Sequence, residues 1–267
     1  MQFLRHYLLA VQFFTRIPVT GRLAAWVGYS PAMLRASTAH LPGVGWLAGL
    51  LAAGVYAALY LALAPNPFAP AVAAVFSTIA TVLMTGGFHE DGLADVADGL
   101  GGAASRERAL DIMKDSRIGA FGAMALVLAL LAKVALLSLL GAHGLAAALA
   151  AIAGAHVLSR GWPLLIVRAL PHVGDAAKSK SKPLADQISG RALVVAGLWC
   201  FGPLALVWQA HTAIYLIASM VCSALAAAWM ARWFARRLQG FTGDCLGAAQ
   251  QVSEIGFYLG AALSLRW

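Results

Sequence analysis

"GAFGAMALVLALLAKVALLSLL", residues 119–140, carries a single charged side chain, Lys133. As an α-helix it would be about 33 Å long, enough to cross a hydrocarbon core of about 30 Å. Runs of the same kind recur on both sides of it. Spans are expected at Leu41–Leu63, Ala69–Thr85, Gly119–Leu140, Gly144–Leu170, Ala192–Trp208, Thr212–Phe234 and Gly247–Leu265, seven in all. The whole-chain composition agrees: 267 residues, 61% hydrophobic and 11% charged, with a mean hydropathy of +0.78. That lies outside the mix of a soluble globular domain. No alternating ten-residue strand pattern points to a barrel, so the expected fold is all-α, a polytopic integral membrane helical bundle with short interfacial or cytoplasmic helices. One membrane-embedded domain over residues 1–267 is expected.

The connections orient the bundle. "APNPFAP", "GAHG" and "QAHT" contain no Lys, Arg, Asp or Glu. The alternate connections hold Arg106, Arg108, Lys114 and Arg117, then Lys178, Lys180, Lys182 and Arg191, then Arg232, Arg236 and Arg237. The positive-inside rule puts that second set in the cytoplasm. The N-terminal forty residues follow it, through Arg5, Arg16, Arg22 and Arg35. Topology thus accounts for most of the net charge of +8, and no nucleic-acid partner is implied. The opening "MQFLRHYLLAVQFFTRIPV" has Arg5 and His6 in a broken apolar stretch and no small-residue cleavage site. It reads as an interfacial or re-entrant helix rather than a removable signal peptide. Cys200, Cys222 and Cys245 form no CxxC or Cys/His pattern, so neither a disulfide framework nor a zinc site is indicated. "HVGDAAKSKSKPLADQISG" is the only linker-like stretch.

The acidic residues are distributed in the opposite way. Of eleven, seven (Glu90, Asp91, Asp95, Asp98, Glu107, Asp111 and Asp115) fall between positions 90 and 115. If "HEDGLADVADG" is helical, Asp91, Asp95 and Asp98 stand at i, i+4 and i+7 on one face, with Glu90 to the side. Like charges at that spacing repel unless a cation lies between them. A hard divalent ion such as Mg²⁺ suits the need, because it takes carboxylate oxygens, keeps several waters and completes its shell with substrate phosphate. The surrounding glycines weaken a helix but admit close approach by backbone or ligand. The plainer alternative is a solvated acidic loop paired with Arg106 and Arg108. His89 reads as a structural residue or as a contact to phosphate or base.

Three other features bear on the same chemistry. In "SRERALDIMKDSRIGAFG", Ser105 can cap a short helix, and Lys114 and Arg117 would share a face at i, i+3 and clamp phosphate. Asp115 would then face metal or orient Arg117, and the alternative is a positive-inside anchor with local ion pairs. In "GFTGDCLGAAQQVSEIGFYLG", Asp244 lies in a glycine-flanked turn, Thr242 can cap the next helix, and Glu254 opens a span where a lone carboxylate is costly. Lys133, Arg160 and Arg168 interrupt other spans. Arg168 is placed to snorkel, whereas Arg160 is deeper. Arg16 in "FFTRIPV" and Pro42, Gly43 and Gly45 in "HLPGVG" belong to the same predicted side. Carboxylates that bind a cation, beside positive side chains, suit transfer of a phosphate-linked group. No P-loop is present.

Taken in order, "FFTRIPV", "TGGFHEDGLADVADGLGG", "MKDSRIGAFG" and "GFTGDCLGAAQQVSE" resemble the cobalamin 5'-phosphate synthase family, also called adenosylcobinamide-GDP ribazoletransferase, from about Phe14 to Glu254. The middle motif is long and specific. At the N-terminus Thr20 stands where proline would follow "RIPV", and "HLPGVG" only approximates the usual apolar "FPLVG". The resemblance implies a multi-pass enzyme of the cytoplasmic (inner) membrane, with its site facing the cytoplasm and Mg²⁺ as cofactor. It would join adenosylcobinamide-GDP to α-ribazole or α-ribazole 5'-phosphate and release GMP. Its partners would be those two substrates and the lipid bilayer, with a second copy of the chain or other cobalamin-assembly enzymes as further candidates. Within that frame Asp91, Asp95, Asp98 and Glu90 are the candidate metal ligands. Lys114 and Arg117 are the diphosphate clamps, Asp244 is a second metal or nucleoside contact, and His89, Asp115, Arg16 and Arg160 are the substrate-binding candidates. A CDP-alcohol phosphotransferase would instead open its motif with "DGxxAR", and here Asp95 follows "DGLA". An ion-coupled transporter would spread its carboxylates through the spans, often in an inverted repeat.

Overall fold

The computed structural model describes residues 1–103, 105–174 and 188–265. Lys178, Lys180 and Lys182, and most of the linker-like stretch that holds them, lie outside the described residues. The described residues form helices α1 (Gln2–Phe14), α2 (Gly21–Val27), α3 (Pro31–Ser37), α4 (Leu41–Leu63), α5 (Ala69–Thr85), α6 (Phe88–Gly102) and α7 (Arg106–Ile112). These are followed by α8 (Ala120–His143), α9 (Leu145–Ala169), α10 (Gly190–Ala210), α11 (Ala213–Arg237) and α12 (Gly243–Ser264). A single 3₁₀ turn, Thr38–His40, joins α3 to α4. No strand occurs among the described residues, and the fold is an all-α polytopic bundle.

Among the described residues five segments are long and apolar enough to cross a bilayer: Pro31–Leu63, α8, α9, α10 and α11. A sixth is gained if α5 and α6, which meet at 90°, count as one broken span. Seven spans are expected from the sequence, and all seven stretches are helical, but two fall short for different reasons. Helix α5 has only 17 residues. Helix α12 carries Asp244, Gln250, Gln251 and Glu254, which it can afford because most of its surface is buried against other helices rather than lipid. The reverse holds for α8 and α10, whose Met124, Leu128, Leu131, Leu198 and Phe201 face outward, as a lipid-facing surface requires. Helix α1, about 20 Å long by its 13 residues, is too short to span and buries Leu9, Ala10, Val11 and Phe14 on one face.

Small residues set the packing. A Cβ on Gly45 would meet the backbone of His156 and Val157, so α4 and α9 cross with backbones almost touching. Gly154 leaves room for Phe257, and Gly260 lies against the backbone of Ala218 and Ser219. This is the small-residue packing on which membrane helices rely, since lipid removes the hydrophobic drive between them. Interhelical hydrogen bonds add to it. Tyr56 donates to the Leu137 carbonyl at 2.9 Å, Tyr215 to the Ala147 carbonyl at 2.7 Å and Trp162 to Ser223 at 2.8 Å.

The corner between α5 and α6 positions everything that follows. Gly86 and Gly87 both have φ of +71°, a left-handed conformation that costs glycine nothing and strains other residues. Gly86 closes α5 and Gly87 opens α6, so the chain turns through a right angle without a loop. Helix α6 therefore leaves the direction of α5 and packs against α7, α8 and α12. The start of α4, α10 and α12 and the finish of α9 and α11 meet α6 in one buried cluster that includes Leu41, Leu93, Leu164, Ala196, Phe234 and Ala248.

Candidate active site

Helix α6 forms over the "HEDGLADVADG" stretch, so the expected one-sided acidic face exists. Glu90 and Asp91 occupy its first turn, where the positive end of the helix dipole favours carboxylates. At the other end Arg237 donates to the carbonyls of Leu100 at 3.0 Å and Ala103 at 2.5 Å, capping the helix from α11. Nothing in the local pattern of the sequence announces that cap. The apolar side of α6, with Leu93, Val96 and Leu100, is buried.

Against that face opens a cleft of about 680 Å³, lined by Arg16, Gly86, Gly87, Glu90, Asp91, Asp95, Ser116 and Ile118 among others. Arg16 reaches it over the corner. Its guanidinium lies where a Cβ on Gly86 would be, a second reason for glycine there. Asp244 arrives from the first turn of α12, and Thr242 caps that helix as expected, accepting from the Cys245 N–H. Gly92 makes the juncture possible, since a Cβ at this position would stand 2.7 Å from the Asp244 carbonyl oxygen. Asp95 is the most perturbed of the group. Burial first, and then the nearby carboxylates of Asp244, Asp91 and Asp98, push it up to about 7. Burial likewise raises Asp244, with Asp91 adding to the effect.

Two of the expected ligands also hold other groups. Asp98 spends both oxygens on the start of α8, accepting from the N–H groups of Gly119 at 2.7 Å and Gly122 at 2.8 Å. Gly119 is the N-cap residue and has no side chain of its own, so a carboxylate from another helix does the capping. Glu90 accepts from Gln251 at 3.0 Å through Oε1, while its Oε2 is buried with no hydrogen-bond partner. Among the described residues no three His, Cys, Asp or Glu side chains are gathered closely enough to hold an ion unaided.

The expected helical pairing of Lys114 with Arg117 does not form. Helix α7 ends at Ile112, and residues 113–119 form turns rather than helix, so Lys114 and Arg117 do not share a helical face. Arg117 is exposed and bound in a fork to Asp115, with Nε 2.9 Å from Oδ1, and this contact holds the Asp115 carboxyl down at about 2. It is Ser116 and Ile118 of this loop, not Lys114 or Arg117, that line the cleft. His89 and Arg160 are also turned away from it. His89 is buried, with its backbone against Gly247 of α12, which matches its structural reading. Arg160 is buried in α9 and donates to the His156 carbonyl at 2.7 Å.

A stability prediction separates Asp98 from its neighbours. Asp98→Ala should lower stability by about 1–2 kcal/mol, as loss of an N-cap does, with Asp98→Asn recovering part of it. Thermal unfolding in detergent checks this, and an unchanged midpoint in the alanine variant would show that the cap is energetically idle.

With this geometry the comparisons with known proteins can be set out. A family model described as cobalamin-5-phosphate synthase matches residues 6–262. A protein of Polaromonas naphthalenivorans (strain CJ2) is 64% identical, the match covering 99% of this chain and 100% of that one. Relatives from Leptothrix cholodnii and Shewanella amazonensis are 47% and 42% identical, over 96% and 98% of this chain and 94% and 95% of theirs. All three relatives bear the name adenosylcobinamide-GDP ribazoletransferase. No solved structure matches the chain.

Proposed function

Because the chain belongs to the cobalamin-5-phosphate synthase family, we propose that it acts as an adenosylcobinamide-GDP ribazoletransferase. A hydroxyl of α-ribazole or α-ribazole 5'-phosphate attacks the corrinoid-side phosphorus of adenosylcobinamide-GDP. One P–O bond forms, the P–O bond to the departing GMP breaks, and the product is adenosylcobalamin or its 5'-phosphate. The observation that carries this reading is the meeting of Asp91, Asp95 and Asp244, from two helices, beside a cleft that Arg16 also lines.

Burial and the neighbouring carboxylates raise the proton affinity of Asp95, and burial with Asp91 raises that of Asp244, a repulsion that a cation would relieve. Mg²⁺ would be held by one or two carboxylates drawn from Asp91, Asp95 and Asp244, while Asp98 also accepts from the N–H groups of Gly119 and Gly122. When bound, the ion would offset charge on the phosphate oxygens. Asp95, half-buried and with a proton affinity near neutrality, is placed to take the proton of the attacking hydroxyl. Arg16 offers a planar fork to a phosphate in the cleft, and it can do so because its backbone is pinned by a 2.7 Å hydrogen bond to the Met84 carbonyl. Arg106, Arg108, Lys114 and Arg117, which follow α6, and Arg236 and Arg237, which end α11, share the end of the bundle that holds the cleft, which supports a site facing the cytoplasm from the inner membrane.

The test uses the purified full chain in lipid vesicles with adenosylcobinamide-GDP and α-ribazole. GMP and a completed corrinoid should appear in equal amounts with Mg²⁺ present and cease on chelation. No GMP from the native chain would overturn the activity, and release that persists after chelation would overturn the role of the metal.

A further inference from the structure

One group of buried polar residues is left unused by the cleft. Lys133 of α8 and Glu254 of α12 are 3% and 1% exposed, and their ammonium and carboxylate stand 2.9 Å apart deep between helices. An ion pair at such a place is rarely a net source of stability, because desolvation offsets the attraction, so its presence calls for another reason.

The hydrogen bonds supply one. Lys133 Nζ donates to Gln251 Oε1 at 3.1 Å as well as to Glu254. An ammonium only donates, so it fixes which end of the Gln251 amide faces it. The amide nitrogen is thereby turned the other way, where it donates to Gln250 Oε1 at 2.9 Å and to Glu90 Oε1 at 3.0 Å. Gln250 is held in the same sense. Its nitrogen donates to Glu254 Oε2 at 2.6 Å and to Ser159 at 3.0 Å, leaving its oxygen for Gln251. Tyr258 donates to Glu254 Oε1 at 3.2 Å, and His156 Nδ1 lies 3.6 Å from Oε2. Both amides thus use both N–H groups and their oxygen, a network with one orientation and no spare donor on either amide. It ends at Glu90, which lines the cleft next to Asp91 in the first turn of α6.

We infer that Lys133 and Glu254 are positioning residues, which act through the oriented amide of Gln251 to set Glu90 and the first turn of α6 at the wall of the cleft. The inference rests on the reading of that cleft as the transferase site. The network ties α8, α9 and α12 to α6. Without it the first turn of α6 keeps its backbone packing on Gly247 and Asp244 of α12 but loses the polar tie that sets the Glu90 side chain.

Gln251→Met tests this, since it keeps length and volume and leaves the Lys133–Glu254 pair in place. The variant should fold with a native thermal midpoint, keep both KM values within about twofold and lose about tenfold in kcat. Gln251→Glu, which still accepts from Lys133 but sets a carboxylate against Glu90, should lose at least as much. A second readout is independent of turnover. The chain has three glutamates, Glu90, Glu107 and Glu254, so infrared spectra of ¹³C-glutamate-labelled protein resolve few carboxylate bands. The band that disappears in Glu90→Gln should shift in Gln251→Met. Native kcat in both Gln251 variants, or an unmoved Glu90 band, would overturn the inference. An inactive native chain would instead count against the proposed reaction and leave the infrared result to judge the network.

Discussion

Asp95→Asn is expected to abolish synthase activity while leaving the bundle intact, with kcat down by about 10³-fold or more. The amide keeps the shape of the side chain and removes its charge and its capacity to take a proton. Loss of a general base costs about 10²–10⁴-fold, and weakened cation binding adds to that. Stability should rise slightly if it changes at all, because the substitution relieves the repulsion that pushes Asp95 up to about 7. The contrast with Asp98 is what gives the experiment force. Asp98→Asn removes a charge one turn away on the same helix, yet its oxygens serve the N-terminus of α8, so its effect should be on melting temperature before turnover. GMP release and thermal unfolding, measured on both variants, decide the matter. Full Mg²⁺-dependent activity in folded Asp95→Asn would remove this residue from both of its assigned roles.

Lys133→Met carries the second large effect, and it falls on folding. It leaves the Glu254 carboxylate buried without its ammonium, and breaking one partner of a buried pair costs about 3–5 kcal/mol. The protein should express poorly or unfold at markedly lower temperature in detergent. Adding Glu254→Gln to Lys133→Met removes the stranded charge and should return most of the lost stability, because a neutral amide can still meet Gln250 and Tyr258. Unfolding midpoints for the single and double variants form a cycle. A single variant as stable as the native chain would show that water or another cation already compensates Glu254.

The spans and the acidic face were legible because each is a local regularity. A run of some twenty apolar residues announces its own length, and Asp91, Asp95 and Asp98 announce their face by spacing alone. The fate of each carboxylate was not legible, because it depends on contacts far along the chain. Asp98 reads like its neighbours until α8 is seen to begin beside it at Gly119. Lys114 and Arg117 read as a helical pair only if α7 continues, and it stops at Ile112. The pairing of Lys133 with Glu254 joins residues in different spans, and neither periodicity nor composition encodes such a match. A cue was present all the same in "QQVSE", since two amides and an acid together in an apolar helix must find partners.

The contact of Gly92 with Asp244 also has a meaning for biosynthesis. Helix α6 emerges from the ribosome about 150 residues before α12, yet the carboxylate that α12 contributes and the amide that orients Glu90 both belong to that later helix. The earlier spans can enter the membrane one after another, driven by their own hydropathy. The reaction centre cannot be part of that progression, and it comes into being only when the C-terminal-most described helix threads into the middle of the bundle. On the proposed site, synthase activity is therefore expected only in chains whose α12 has packed against α6.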